Sequence, residues 1–389
     1  MNYLEILKQN IEECYTKALI KNTLKELCEK NIIAYKENLL THSENVFVFD
    51  NHDSEPYIPK YDAAELITAL DNRTDSVLKV LLENEFDAPY TYAALFSYDG
   101  ELPSSENYGA NIIRDLLEIK NLELSNRVDN SKAFIIENSK LIQNENNLIL
   151  KFPLRIRGYL PRENDNRRDI LYNIICMFNK ERKSIEIRYN QVKSFISSLE
   201  DNFYVKRINE TLNNLSNLFN IEITPVNMSP IIKYIKTNVD NNEESQLVVS
   251  AQALNYATGS KAVLDTGNND DMILPFIGNL KNILTNNATL FDANDETKEI
   301  KQLLEEIILE AEYLSDHPWI TLAWPHEVKS KILKIKFLFN YLGQDYSVLQ
   351  YYGNVADAER MSYVTQFIFD NKRAIETNQV ESNTATTAS

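Results

Sequence analysis

The chain has 389 residues, of which 43% are hydrophobic and 25% are charged, and its formal net charge is −17. These fractions exclude a chain that is disordered throughout, and the length predicts two or three packing units. The acidic balance argues against a surface with general affinity for nucleic acid. The chain has only 8 glycines, which leaves few for the phosphate-binding turns of nucleotide-binding folds.

The sequence predicts a bacterial protein of the reducing cytoplasm. Acidic residues appear early, and no stretch approaches the ~20 apolar residues that span a bilayer, so neither a secretory signal nor membrane association is predicted. Too few cysteines are present for a disulfide framework: Cys14, Cys28 and Cys176. Asparagine, isoleucine, lysine and tyrosine are plentiful, which is typical of an AT-rich genome or a mobile element.

Residues 1–128 are predicted to form a mostly helical unit. Apolar residues recur along its first segment at spacings of three and four, as on one face of a helix: Leu4, Leu7, Ile11, Cys14 and Ala18. A short apolar run at 46–49 is typical of a strand. Asp62 and Glu65 have the spacing of a capping box at the start of the next helix, and another helix is predicted over about 105–122.

Residues 129–376 are predicted to form a mixed unit, which makes the fold class α+β. Strand-like runs lie at 133–136, 148–157 and 247–255, and two antiparallel hairpins are predicted, 171–178 with 184–190 and 329–341 with 346–352. Amphipathic helices are predicted at about 205–218, 296–314 and 356–372. Polar residues predict a loop or linker near 238–245, a loop at 259–271 and a disordered tail at 377–389.

The most distinctive charge feature is a basic segment at 151–193, with eleven basic and five acidic residues. Its local net charge of +6 leaves −23 for the rest of the chain, because the total is −17. The planar fork of arginine suits phosphate and carboxylate groups, and interleaved tyrosines can stack on bases. The residues predicted to bind a partner or a nucleic acid are Arg155, Arg157, Arg162, Arg167, Arg168, Lys180, Arg182, Lys183 and Arg188.

Two functions are compatible with this segment. The favoured hypothesis is a non-catalytic interaction or scaffolding subunit of an intracellular complex, whose basic surface docks an acidic protein partner. A basic sheet edge can also dock against the protein's own acidic helices or guard an edge strand. The alternative is a nucleic-acid-binding protein or a metal-dependent nuclease of an accessory-genome system, for example one of phage defence.

The nuclease alternative rests on one short pattern. Such enzymes place an acid and then Glu-x-Lys on a strand, so that carboxylates hold a divalent ion near the scissile phosphate. Glu186, with Arg188 where lysine is expected and Asp165 or Asp169 upstream, approaches this arrangement.

No complete catalytic or metal-binding motif is present in the sequence, so no metal, cofactor or catalytic residue is assigned. The histidines lie near carboxylates but lack compact ligand spacing: His42, His52, His317 and His326. The run Gly259-Ser260-Lys261 lacks the upstream glycine of a phosphate-binding loop, and 265–271 lacks the last glutamate of a calcium loop. Both tryptophans lie in 317–325, for which core packing is favoured over a partner surface.

Overall fold

The computed structural model describes residues 3–35, 46–49, 57–88, 90–102, 140–143, 146–159, 167–192, 201–241, 247–255, 261–265, 280, 283–313, 316–324, 332–352 and 358–387. Helices and an antiparallel sheet make the fold α+β, which confirms the predicted class. The predicted boundary at 128, the helix at 105–122 and the strand at 133–136 lie outside the described residues. No helix in the described ranges combines the length and the apolar character needed to cross a membrane.

The elements are numbered in chain order. The helices are α1 (Tyr3–Glu13), α2 (Lys17–Glu29), α3 (Ala63–Asn72), α4 (Thr74–Asp87), α5 (Phe203–Phe219), α6 (Met228–Asn241), α7 (Ala288–Phe291), α8 (Asp295–Tyr313) and α9 (Ala358–Thr387). The strands are β1 (Ile33–Tyr35), β2 (Phe47–Phe49), β3 (Tyr92–Asp99), β4 (Lys140–Gln143), β5 (Asn147–Tyr159), β6 (Arg167–Asn179), β7 (Ser184–Tyr189), β8 (Glu222–Pro225), β9 (Val248–Asn255), β10 (Lys261–Asp265), β11 (Asp316–Trp324), β12 (Leu333–Leu338) and β13 (Val348–Tyr352).

The chain divides into two compact units, and each contains more than one stretch of sequence. The first comprises 1–90, 98–223 and 357–361, and the second comprises 91–97, 224–356 and 362–389. This grouping differs from the predicted domains 1–128 and 129–376. The reason is that β6 packs against α1, and its Leu171 belongs to the hydrophobic core of the N-terminal helices.

The N-terminal helices of the first unit bury the apolar faces that the sequence predicts. Leu7 and Ile11 of α1 are buried, as are Leu24 and Leu27 of α2. The predicted helical region is nevertheless two helices, because Thr16 adopts an extended conformation and its hydroxyl accepts a hydrogen bond from the Leu19 N–H at 3.2 Å. A side-chain oxygen at this position satisfies a backbone donor that has no partner within the helix.

The predicted start of α3 at Asp62 is confirmed, but the Glu65 side chain accepts from the N–H groups of the two preceding residues, Lys60 and Tyr61, and not from that of Asp62 as in a complete capping box. The Asp62 carboxylate accepts a hydrogen bond from the Glu65 N–H at 3.0 Å, and Glu65 reaches back toward the preceding turn. Its Oε1 accepts from the Tyr57 hydroxyl and the Lys60 N–H, both at 2.9 Å, and its Oε2 accepts from the Tyr35 hydroxyl at 3.1 Å and the Tyr61 N–H at 2.7 Å. One buried carboxylate therefore fixes the entry to α3.

The sheet of the first unit is antiparallel, with the strand order β4, β5, β6, β7. The predicted hairpin is confirmed as β6 and β7. Strand β6 begins earlier than predicted, and it pairs with β5 without a break from Asn147 opposite Asn179 to Tyr159 opposite Arg167. This long pairing was not predicted, because 167–170 read as polar in the sequence.

The sheet of the second unit has the order β10, β9, β11, β12, β13, β3 and is also antiparallel. The predicted second hairpin is confirmed as β12 and β13 around a short 3-10 turn, Tyr341–Gly343. Strand β9 is confirmed at the predicted position, whereas the prediction of a loop throughout 259–271 is wrong, because Lys261–Asp265 pairs with β9. The tryptophan segment forms β11, where Trp324 packs edge-on against Phe367 and Lys336 lies 3.8 Å from the Trp319 ring centroid.

Three helical segments of the second unit extend or qualify the predictions. Helix α6 continues to Asn241, so it covers the start of the stretch predicted as a linker. Helix α8 buries Ile308 but leaves Ile300 and Leu303 more than half exposed, so the predicted apolar stripe is only partly covered. Helix α9 continues to Thr387 through most of the tail that composition predicts to be disordered.

We expect Glu65→Gln to destabilise the protein by about 2–3 kcal/mol. Each Glu65 oxygen accepts one backbone N–H, so the glutamine NH₂ group must face a donor in either orientation. Urea denaturation measures the change. The control is Asp71→Asn, because Asp71 is 52% exposed and pairs with Lys8 at the surface, where we expect less than about 1 kcal/mol. Equal effects of the two substitutions would contradict a structural role for the buried carboxylate.

Candidate functional site

The basic segment forms β5, β6 and β7, and antiparallel pairing collects four of its arginines at one end of β5 and β6. In this register Arg155 lies opposite Leu171 and Arg157 opposite Asp169. The next two pairs place Gly158 opposite Arg168 and Tyr159 opposite Arg167. We call these four residues, Arg155, Arg157, Arg167 and Arg168, the arginine end. Arg162 and Asp165, also singled out in the sequence, lie outside the described residues.

The turn between β6 and β7 lies at the other end of β6. It carries three further basic residues that the sequence predicts to bind a partner or a nucleic acid: Lys180, Arg182 and Lys183. The Lys183 ammonium donates a hydrogen bond to the Gly100 carbonyl at 2.6 Å and lies 5.3 Å from the Tyr98 ring centroid. Exposed Asp99 and Glu101 flank this glycine. The turn therefore has acidic neighbours from its own chain, and its positive charge is locally offset.

Arg188 and Glu186 form an internal ion pair on β7. Arg188 Nε lies 2.7 Å from Glu186 Oε1, Nη2 lies 3.0 Å from Oε2, and Nη1 donates to the Ala358 carbonyl at 3.2 Å. The exposed fractions are only 1% for Arg188 and 3% for Glu186. Arg188, which the sequence predicts to bind a partner, therefore lies inside the protein. Both carboxylate oxygens of Glu186, the weak catalytic candidate, accept hydrogen bonds from Arg188.

This internal pair has a simple cause in the burial of β7. Antiparallel strands commonly have one solvated face. Every residue of β7 is buried instead, so a cation on this strand needs an anion within reach. Glu186 supplies it from two positions away, on the same face of the strand. Asp169, the other described catalytic candidate, is fully buried on β6, and its N–H donates to Gln9 Oε1 at 3.1 Å.

A second internal ion pair joins the sheet to the helices. Lys151 on β5 is completely buried, and its ammonium lies 2.6 Å from Glu85 Oε2 on α4. The Tyr15 hydroxyl donates to the other carboxylate oxygen of Glu85, and the Tyr90 hydroxyl donates to the Glu85 carbonyl at 2.9 Å. Burial, reinforced by the nearby Glu85 carboxylate, raises the pKa of Tyr90. Tyr90 is therefore a neutral donor.

A small cavity of about 60 Å³ lies beside this second pair. Its walls come from four separate parts of the first unit, namely the α1–α2 connection, the end of α4, the middle of β6 and the residues after β7. Polar lining residues include Asn10, Tyr15, Glu85, Tyr90, Asn173 and Asn190. No local sequence pattern predicts this cavity, because only the tertiary fold brings these four segments together.

Two lining residues of the cavity have chemical interest. Asn10 is 1% exposed, and its Oδ1 accepts no hydrogen bond from any residue that the structure describes. Cys14 is half-buried and is not part of a disulfide. An unpaired buried acceptor is uncommon in native proteins and needs an explanation.

Most of the histidine and glycine motifs considered in the sequence lie outside the described residues. His42, His52, His326, Gly259 and 266–271 lie outside it, and His317 belongs to β11. Among the described residues, no group of three or more histidine, cysteine, aspartate or glutamate side chains is placed to hold a metal ion.

The chain matches no protein-family model, and no curated protein or solved structure is significantly similar to it. Functional inference therefore depends on the geometry of the described residues.

We expect Lys151→Met to reduce the free energy of unfolding by about 3–5 kcal/mol, because it leaves the buried Glu85 carboxylate without its cation. The double variant Lys151→Met, Glu85→Gln should recover more than half of this loss, since no buried charge then remains. Chemical denaturation of both variants measures this difference.

The matched control for this pair is Lys298→Met. Lys298 forms an exposed pair with Asp295 at 3.3 Å, for which we expect a loss below about 0.5 kcal/mol. If the single Lys151 variant is no less stable than the double variant, then burial of an uncompensated charge is not the cause of the instability.

Proposed function

We propose that the chain is a non-catalytic interaction subunit of an intracellular complex, which docks an acidic surface of a protein partner through the arginine end of β5 and β6. The observation that carries the proposal is the strand register, which places Arg155, Arg157 and Arg167 on one face at the end of β5 and β6, with Arg168 on the opposite face of the same end. Arginine clusters of this kind bind carboxylates with two parallel hydrogen bonds.

The other basic residues of the segment support this choice of surface by their own arrangement. Lys151 and Arg188 are buried with acidic partners, and the β6–β7 turn has acidic neighbours. We therefore assign the docking surface to the arginine end. Steering by such a patch raises association rates and selects against partners of the wrong charge.

An acidic protein surface is favoured over a nucleic acid by the charge of the remaining chain. A duplex carries about one negative charge per 1.7 Å along its axis, so it extends its charge well beyond the arginine end. The rest of this chain carries a net charge of −23, given the total of −17 and the +6 of the basic segment. A folded protein partner can present an acidic patch to the arginine end alone. The rest of its surface is then not repelled by the acidic remainder of this chain.

The proposed setting is the reducing cytoplasm. None of the three cysteines, Cys14, Cys28 and Cys176, forms a disulfide, which is the usual state of thiols in that compartment. The absence of a complete catalytic motif in the sequence supports a role in binding, and the engagement of both Glu186 oxygens by Arg188 is consistent with it.

We expect a fluorescently labelled poly-glutamate peptide to bind the wild-type protein at low salt and to dissociate as salt is raised. Replacing the four residues of the arginine end by alanine should weaken this binding by about tenfold or more, because each lost contact removes a few tenths of a kcal/mol. Fluorescence anisotropy measures both effects, and labelled single- and double-stranded DNA and RNA are titrated in parallel.

The control variant replaces four exposed lysines that lie elsewhere in the first unit: Lys17, Lys21, Lys25 and Lys206. It changes the net charge by the same amount, so a specific surface predicts less than about threefold weakening. Equal weakening by the two variants, or no binding by the wild type at low salt, overturns the proposal. Tight binding of nucleic acid that depends on the arginine end would support the nucleic-acid alternative instead.

A further inference from the structure

We propose that the exposed apolar face of α8 is a docking surface for a basic amphipathic helix of a partner protein. The apolar contacts come from Ile300 and Leu303, and the charged contacts come from glutamates on the same helix. This surface belongs to the second unit, whereas the arginine end belongs to the first. It is therefore a second interaction surface, independent of the proposed function, and it selects a partner of the opposite charge.

Exposed apolar side chains are concentrated around α8. Among the described residues nine large hydrophobic side chains are exposed, and four of them lie between 283 and 303: Ile283, Leu290, Ile300 and Leu303. Ile300 is 51% exposed and Leu303 is 55% exposed. They are three positions apart, so they are neighbours on the helix surface. Single exposed apolar residues are ordinary, whereas a cluster of them marks an interaction site.

The apolar stripe of α8 is wider than the part of it that the second unit covers. Ile308 is buried, and Leu304 is partly exposed. At 3.6 residues per turn, Ile308 lies about 80° from Ile300 around the helix axis, and Leu303 lies about 60° from Ile300 on the other side. The second unit therefore covers one edge of the stripe, and the other edge is left for a partner.

Glutamates border the exposed edge of the stripe. Glu296 precedes Ile300 by four positions, and Glu299 precedes Leu303 by four, so each carboxylate lies beside an exposed apolar side chain. Both glutamates are exposed. Neither forms an ion pair with a residue in the described part of the chain, so their charges are available to a partner.

The lysines of α8 do not offset these glutamates. Lys298 lies 3.3 Å from Asp295 and Lys301 lies 3.1 Å from Asp292, so each already has an acidic partner. Their positions are about 160° and 100° from Ile300 around the helix axis. The border of the exposed edge is therefore acidic, and the complementary charge is that of lysine or arginine.

This charge decides between the possible occupants of the surface. A two-fold contact with a second copy of the chain would place the same glutamates of both copies against each other, and like charges across an interface are costly. Anionic lipids and nucleic acids would meet the same repulsion. A helix with one apolar face and flanking basic residues satisfies both parts of the surface, in the way that paired helices select each other by charges beside an apolar seam.

The test uses the full-length protein and a fluorescently labelled peptide of leucine and lysine, in which the leucines recur at spacings of three and four. We expect this peptide to bind at low salt, as measured by fluorescence anisotropy. A control peptide has the same composition and charge, but its leucines are spread around the helix. It should bind at least about tenfold more weakly, because it cannot bury its leucines on one face.

The double variant Ile300→Gln, Leu303→Gln should weaken binding of the amphipathic peptide by at least about tenfold. Both side chains are more than half exposed, so we expect the variant to fold, which circular dichroism checks. The matched control is Ile58→Gln, Leu342→Gln, because these side chains are 77% and 58% exposed elsewhere in the chain. It should change the affinity by less than about twofold.

The charged border is tested separately with Glu296→Gln, Glu299→Gln. This variant should weaken binding by about threefold at low salt and have a smaller effect as salt is raised. The control Glu12→Gln, Glu29→Gln makes the same change of net charge at exposed positions of the first unit. Equal effects of the two charge variants would show that the peptide responds only to the total charge, which overturns the assignment to α8.

Two further outcomes overturn the proposal. The first is equal binding of the two peptides, or an unchanged affinity after substitution of Ile300 and Leu303. The second is a wild-type dimer in sedimentation equilibrium that the same substitution converts to a monomer, because the face would then belong to a second copy of the chain.

Discussion

Removing a lysine or arginine side chain from water costs several kcal/mol unless an anion lies within hydrogen-bond reach. Among the described residues of the first unit, Lys151, Arg188 and Arg207 are such side chains, and the first two are almost completely buried. Arg188 finds its acidic partner on the same strand, and its Nη1 also ties β7 to the Ala358 carbonyl at the start of α9. Lys151 finds its partner on α4, so this pair fixes a helix against the sheet. Tyr15 then ties the connection between α1 and α2 to the same carboxylate.

Because of these internal ion pairs, the basic segment has fewer positive charges for a partner than its sequence suggests. A count of charges along the sequence treats all eleven cations as equivalent, although two of them are neutralised inside the protein. Four of the other nine lie on β5 and β6, where the register, and not the order of residues in the chain, brings them to the same end of the two strands. Strand β6 of this pairing also supplies one wall of the Glu85 cavity.

Features that depend on neighbouring residues could be predicted from the sequence. The capping box of Asp62 and Glu65 has a fixed spacing, and the alternation of Leu333, Lys334 and Ile335 defines a strand with one buried face. Strand β10 was missed because its run of three apolar residues is short and is flanked by glycines and acids. The apolar stripe of α8 was identified correctly as a pattern, but a pattern does not say whether another element covers it.

Features that depend on distant residues could not be predicted. Glu85 and Lys151 are separated by 66 positions, and no periodicity links an acid on a helix to a lysine on a remote strand. The burial of β7 on both faces could not be predicted either, because two charged residues such as Glu186 and Arg188 are more typical of a strand with one solvated face. The cavity combines segments that span 10–192, and its existence follows only from the packing of all four.

The pair between Glu85 and Lys151 also bears on how this protein can evolve or be divided. The carboxylate and the ammonium belong to pieces of chain that meet only in the folded state, so neither piece can reach a stable native form alone without exposing or neutralising its own charge. A truncation or a recombination event between 90 and 140 separates the two ions. The first unit is therefore a single cooperative folding module whose N-terminal helices and central strands must be inherited together.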